Sequence, residues 1–143
     1  MKTKTTLLAM GLCAAIEIMG TQINVAAEHD EHKEGHAQIK VPETVEGIWK
    51  EIHKHHEELA ATVKAKKLSE VHEHAFAIRD LAKALPAKAH PDHKKMVENA
   101  VKRVSHIAAD LDKSGDAGNQ ASTEASLKKM DDALKTLEEH SKM

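Results

Sequence analysis

A chain of 143 residues is long enough for one domain and short for two. Aromatic residues make up only 1 % of it and Gly and Pro are few, so it lacks the residues that β-sandwiches and barrels need. The formal net charge is −2, and no basic face is interleaved with aromatic side chains, which argues against nucleic acid as a partner. Twelve histidines are the main anomaly of this composition.

The first 27 residues have the pattern of an export signal. Lys2 and Lys4 form a positive start, and an apolar run at residues 7–16 is too short to span a bilayer. Small residues at 25–27 favour cleavage after Ala27. We therefore expect a signal peptide at 1–27 and a periplasmic protein without stable membrane insertion. An uncleaved anchor and lipid attachment at Cys13 are the alternatives that the sequence leaves open.

Residues 28–41 carry many charges and no apolar periodicity, which indicates a flexible tail. His29, His32 and His36 stand among acidic residues there, and imidazole with carboxylate suits Zn, Cu(II) and Ni. Cleavage one residue earlier, after Ala26, would make His29 the third residue, where amine, amides and imidazole form a square-planar site for Cu(II) or Ni(II). A merely solvated acidic tail is the competing interpretation.

Residues 42–143 contain four segments with the apolar periodicity of helices. Pro42 is expected to open the first helix, which runs to about Lys67. Ser69 caps the second, which ends before Pro86, and the third starts at 91–92. Residues 114–119 have the composition of a loop, and Ser122 or Thr123 caps the fourth helix. Four such helices with short loops predict an all-α fold, an antiparallel up-down four-helix bundle over 42–143.

The stretch EIHKHHEEL, at 51–59, places three histidines on the first helix. At about 100° per residue, His56 points toward the apolar stripe and His53 and His55 lie at its two edges, so the stretch does not form one chelating face. His93 has a similar height on the third helix, and His56 and His93 can share one ligand across the bundle. A hydrogen-bonded core histidine is the alternative for His56.

His53, His56, His90 and His93 are therefore the candidate metal ligands of the bundle. His72 and His74 are too close along one helix to chelate one ion, so each needs a partner elsewhere. Phe76 lies almost opposite the apolar stripe, which indicates either a partner surface or an adjustment of packing. No H-E-x-x-H, G-x-S-x-G or C-x-x-C-H motif occurs, so we expect no enzymatic activity and no covalent haem.

VHEHAFAIRDLAKALP (71–86) followed by VKRVSHIAADLDKSGDAGN (101–119) resembles small exported helical proteins of bacteria, some of them encoded beside heavy-metal efflux genes. The resemblance covers roughly residues 70–137. It implies a periplasmic location, a link to heavy-metal resistance and an efflux component as partner, and it assigns no ligand.

The layout is also similar to the soluble haem-b four-helix-bundle cytochromes, in which a Met on the first helix and a His near the end of the last hold the haem. His140 matches that position. The first helix carries Ile48 and Trp49 near the expected Met position and contains no Met, which argues against haem.

The leading hypothesis is a periplasmic metal-binding bundle that acts in buffering of, or resistance to, Cu, Zn or Ni. The alternative is a non-enzymatic interaction or stress protein that binds a protein partner. A haem-b electron carrier is the third hypothesis.

Overall fold

The computed structural model describes residues 39–143. This part contains four α-helices: α1 (Val45–Lys64), α2 (Val71–Ala82), α3 (Lys94–Asp116) and α4 (Gln120–Ser141). Short 3-10 turns at Leu68–Glu70 and Leu85–Ala87 precede and follow α2. No strand occurs between residues 39 and 143, so the all-α prediction is confirmed for this part of the chain. The expected signal peptide, and His29, His32 and His36 of the expected tail, lie outside the described residues.

The first two helices are shorter than predicted. Thr44, rather than Pro42, marks the start of α1, because its Oγ1 accepts a hydrogen bond from the backbone N–H of Gly47 at 3.0 Å. Ser69 does not cap α2, since it lies inside a 3-10 turn, and the N-cap is Glu70. Helix α2 therefore begins and ends inside the segment that periodicity assigned to it.

Helices α3 and α4 both extend further toward each other than predicted, so the loop between them is shorter than the sequence indicated. Helix α3 starts at Lys94 and continues to Asp116, through half of the predicted loop. Gly115 explains this extension, because a Cβ at this position would lie 2.7 Å from the carbonyl oxygen of Leu68, so the missing side chain lets the two segments pack closely. Asn119 caps α4 by accepting a hydrogen bond from the backbone N–H of Ser122. The predicted caps Ser122 and Thr123 are therefore wrong.

The core is built from apolar side chains of all four helices, which gives each helix one buried face. Its largest fully buried members are Ile48, Ile52, Leu59, Ile78, Leu81, Leu85, Leu111, Met130 and Leu137. Helix α1 packs extensively on α2, α2 on α3 and α3 on α4, whereas the contact between α1 and α4 is smaller.

Polar side chains join α1 to α4 along their length. The indole Nε1 of buried Trp49 donates to Ser141 Oγ at 2.9 Å, and Gln120 Nε2 donates to the carbonyl oxygen of Val63 at 2.9 Å. These contacts fix which residues of the two helices lie opposite each other. Within residues 39–143, no helix is long and apolar enough to cross a bilayer.

Candidate metal centre

Three metal-ligating atoms converge between α1 and α2. They are Nδ1 of His55, Oε2 of Glu58 and Nδ1 of His74. The two imidazole nitrogens are 3.4 Å apart, and each lies 3.4 Å from the Glu58 oxygen. The three atoms therefore form an equilateral triangle.

A triangle of this size matches one face of a zinc coordination sphere. Zinc binds nitrogen and oxygen at about 2.0–2.2 Å, so the ligand atoms of a tetrahedral site lie about 3.3–3.5 Å apart. Square-planar coordination at similar bond lengths would bring neighbouring ligand atoms to about 2.8–3.0 Å, with the remaining pair about 4 Å apart. The equal separations in this protein fit the tetrahedral arrangement.

Local sequence explains how the three side chains meet. His55 and Glu58 are three residues apart on α1, which puts them on the same helix face. Burial of Ile52 and Leu59 fixes the rotation of α1, so that this pair lies at the edge facing α2. On α2, burial of the next residue, Ala75, leaves His74 at the corresponding edge. Each ligand thus lies at the boundary between core and solvent.

The environment favours the form of His55 that binds metal. Burial is the main cause that lowers the pKa of the His55 imidazole below its usual value; the Glu58 carboxylate opposes this shift, and His74 and Lys54 add to it. A neutral imidazole offers a free nitrogen lone pair, which is what a metal ion requires. The site therefore combines two nitrogen donors with one anionic oxygen donor.

A second group of ligating atoms lies on the other side of α2. It consists of His72 with Asp112 and Asp116 of α3, all within 4.8 Å of one another. His72 and Asp112 are half-buried and Asp116 is exposed. His72 and His74 thus each have partners on a different neighbouring helix, as their spacing on α2 required.

The structure places the predicted ligands His53 and His56 between α1 and α4. His56 Nε2 lies 2.6 Å from Asp131 Oδ1, and His53 Nε2 lies 3.4 Å from Glu138 Oε1. The His53 side chain is 53 % exposed and its ring lies beside Trp49. Each of these histidines is thus paired with one carboxylate on α4.

The predicted ligands His90 and His93 lie in the segment before α3. His90 Nδ1 is 3.3 Å from Asp92 Oδ2, and the rings of His90 and His93 have centroids 6.1 Å apart. His93 is the N-cap of α3, and its buried Nδ1 has no hydrogen-bond partner in the part of the chain that the structure describes. Within residues 39–143, neither group of three ligating atoms includes a predicted ligand. The proposed pairing of His56 with His93 stays a prediction. In the described residues, His56 contacts Asp131 and the His93 ring lies near that of His90.

Sequence reasoning missed His55, Glu58 and His74 as ligands. The available signal was the H-x-x-E spacing of His55 and Glu58, which places a nitrogen and an oxygen donor one helical turn apart. What the sequence did not show was which helix would lie against that face. His74 could be added only once the α1–α2 packing was known.

Three further side chains differ in their exposure. His106 is exposed on α3, whereas His140 is half-buried and its enclosed Nδ1 has no hydrogen-bond partner among the described residues. Phe76 is partly buried against the core, and the Arg79 guanidinium lies 4.2 Å from its ring centroid. Its contacts support the packing interpretation of Phe76.

Comparison with models of protein families, with curated proteins and with solved structures gave no match. The arrangement of the side chains is therefore the basis for assigning a function.

Proposed function

We propose that this protein binds a divalent transition-metal ion, with zinc favoured, through His55, Glu58 and His74. The observation that carries this proposal is the triangle of ligand atoms with 3.4 Å edges. Two imidazoles and one carboxylate are an ordinary donor set for zinc. The proposed role is non-enzymatic buffering of, or resistance to, Zn, Cu or Ni in the periplasm.

The ligands come from two helices, which gives the ion a structural effect. His55 and Glu58 belong to α1 and His74 to α2, so a bound ion would link the two helices directly. Binding to the folded chain and not to the unfolded chain stabilises the fold. We infer that metal occupancy and the stability of the α1–α2 pair are coupled.

We also infer that the four helices follow the antiparallel up-down order. Supporting contacts pair the start of α1 with the end of α4, through Trp49 and Ser141, and the end of α1 with the start of α4, through Val63 and Gln120. The close approach of Gly115 to Leu68 places the end of α3 beside the turn before α2. A short connection between α3 and α4 favours antiparallel neighbours.

The first test is calorimetric titration of the full chain with Zn(II), and then with Cu(II) and Ni(II). We expect stoichiometric binding of Zn(II) that is lost in His74→Ala, because two remaining ligands hold zinc poorly. His106→Ala is the matched control, since it removes an exposed histidine outside the site and should bind like the wild type. Circular dichroism of each variant checks that the helices are intact.

A variant with His29, His32 and His36 all changed to Ala separates the tail from the helices. Zinc binding that persists in this variant and disappears in His74→Ala supports the proposed site. Binding that disappears with the three tail histidines and persists in His74→Ala contradicts it and makes the tail the metal-binding segment. The absence of binding in every form would favour the interaction-protein hypothesis.

A further inference from the structure

The proposed zinc site has three protein ligands and not four. Among residues 39–143, the group of ligating atoms around His55 contains only Glu58 and His74 besides it. Structural zinc sites are closed by four protein ligands, whereas sites that act on a fourth, external ligand keep one position open. A tetrahedral ion on this triangle therefore has one vertex without a ligand from the described residues.

The position of the site leaves that vertex accessible. The side chains of His55 and His74 are each 20 % exposed, and that of Glu58 is 42 % exposed. The triangle thus lies at the rim of the α1–α2 contact and not within the apolar core. A ligand from solvent can approach the ion without unpacking either helix.

Charge and donor type indicate what would fill the vertex. A divalent ion on one carboxylate and two neutral imidazoles has a net charge of about +1. An ion with this charge accepts a neutral or an anionic monodentate donor, and imidazole is one donor that suits Zn as well as Cu and Ni. We propose that the ion bound by His55, Glu58 and His74 keeps one coordination position open for a donor from outside the chain, such as imidazole, so that the ion can pass to an external ligand and is not stored in a closed cage.

This inference rests on the proposed metal-binding function. The donor is supplied from outside the chain. A histidine of the tail in that position would instead close the site, and the variant with His29, His32 and His36 changed to Ala tests for this outcome.

The test uses Co(II) in place of zinc, because the visible spectrum of Co(II) reports its coordination. The full chain is loaded with one equivalent of Co(II) and titrated with free imidazole. We expect a saturable shift of the visible bands as one imidazole enters the open position. His74→Ala should lack the starting bands, and His106→Ala should behave like the wild type.

The variant with the three tail histidines changed to Ala shows whether the chain itself fills the fourth position. If the wild-type spectrum already equals the imidazole-saturated one and this variant restores the response, the chain closes its own site with a fourth ligand and the proposal is wrong. If both forms bind Co(II) tightly and neither spectrum responds to imidazole, the position is closed and the proposal is wrong. Failure of the wild-type chain to bind Co(II) or Zn(II) at all would overturn the proposed function itself.

A kinetic measurement gives an independent check. Zinc is loaded on the full chain and transferred to a coloured chelator with nitrogen donors. An open position allows the acceptor to bind before the ion leaves, so we expect the transfer rate to rise in proportion to acceptor concentration. A rate that does not depend on acceptor concentration, with zinc bound stoichiometrically, would contradict the proposal.

Discussion

Three histidines within four positions of α1 have two different roles. His53 and His56 lie one turn apart and pair with carboxylates of α4, whereas His55 contacts His74 of α2. A rotation of about 100° per residue separates His55 from His56 and sends the two side chains to different neighbours. The histidine-rich stretch is therefore divided between two helix contacts.

The rotation argument could be made from the sequence, and it correctly excluded a single chelating face. It could not choose the ligands, because a metal site between helices depends on the order and separation of the helices. His56 looked most suitable because it was expected near the apolar stripe, yet its nitrogen lies against Asp131 of α4. His55, expected at the edge of the stripe, lies where a second helix supplies the missing donor.

Glu138 should make stability depend on acidic pH. A hydrogen bond from the Lys142 ammonium is the main cause that lowers the pKa of this carboxyl; partial burial opposes the shift and His53 adds to it. The folded chain therefore holds the ionised form more tightly than the unfolded chain does. This contribution is present at neutral pH and is lost as the pH falls below the ordinary carboxyl pKa of about 4.3 toward the lower value in the folded chain.

We expect Glu138→Gln to lose less stability than the wild type between neutral pH and about pH 3.5. The difference should be below about 1 kcal/mol, since the pair is at the surface. Urea denaturation at both pH values measures it, and Glu139→Gln is the exposed neighbouring control. Equal pH dependence in Glu138→Gln and the wild type would show that the Lys142 contact contributes nothing.

The number of helices could be predicted because apolar residues recur with helical spacing in four segments of the sequence. Each of these segments contains one α-helix in the structure. Their ends were not predictable to the residue. The composition of residues 114–119 is typical of a loop, but Ser114 and Gly115 are buried and helical in the last turn of α3. Close packing against a turn distant in sequence overrode the local preference.

Gly115→Ala tests that packing at the level of the element. The added Cβ would lie 2.7 Å from a backbone oxygen of Leu68, and backbone does not move aside easily. Overpacking costs about 1–3 kcal/mol, and the better helix propensity of Ala offsets at most about 1 kcal/mol of it. We expect net destabilisation by chemical denaturation, with exposed Asp116→Ala as the control in the same turn. Unchanged or increased stability of Gly115→Ala would contradict the close approach.

Thr44→Ala tests the start of the helix that carries two of the three ligands. Loss of the hydrogen bond to the Gly47 N–H should destabilise the chain by about 1 kcal/mol. The stoichiometry of zinc binding should stay the same, because His55 and Glu58 lie well beyond the first turn of α1. Loss of zinc binding in this variant would mean that the site depends on the whole helix and not on its local geometry.

At the scale of the whole molecule, the proposed ion acts as a link between two of the four helices. Free zinc at about 100 times its dissociation constant would stabilise the folded chain by about 2.7 kcal/mol. For a domain of this size, that corresponds to a rise in melting temperature on the order of 10 °C. Thermal unfolding with zinc, and then with excess chelator, should show the rise and its reversal.

The same thermal measurement distinguishes a specific site from general histidine binding. His74→Ala should show little rise in melting temperature with zinc, whereas His106→Ala should match the wild type. A full rise in His74→Ala would mean that other histidines hold the stabilising ion.

The contact between Trp49 and Ser141 allows intrinsic tryptophan fluorescence to report on the packing of α4 against α1. Trp49 is the sole tryptophan and there is no tyrosine, so ultraviolet emission comes from one indole that is 2 % exposed. The indole Nε1 donates a hydrogen bond to Ser141, the last residue of α4. The centroids of the indole and of the His53 ring are 5.6 Å apart, so the imidazole can quench the tryptophan emission. Emission should therefore shift to longer wavelength when α4 leaves α1, without any attached dye. Because the indole lies at the contact between α1 and α4, the same signal can show whether a metal bound between α1 and α2 also changes the packing of α1 against α4.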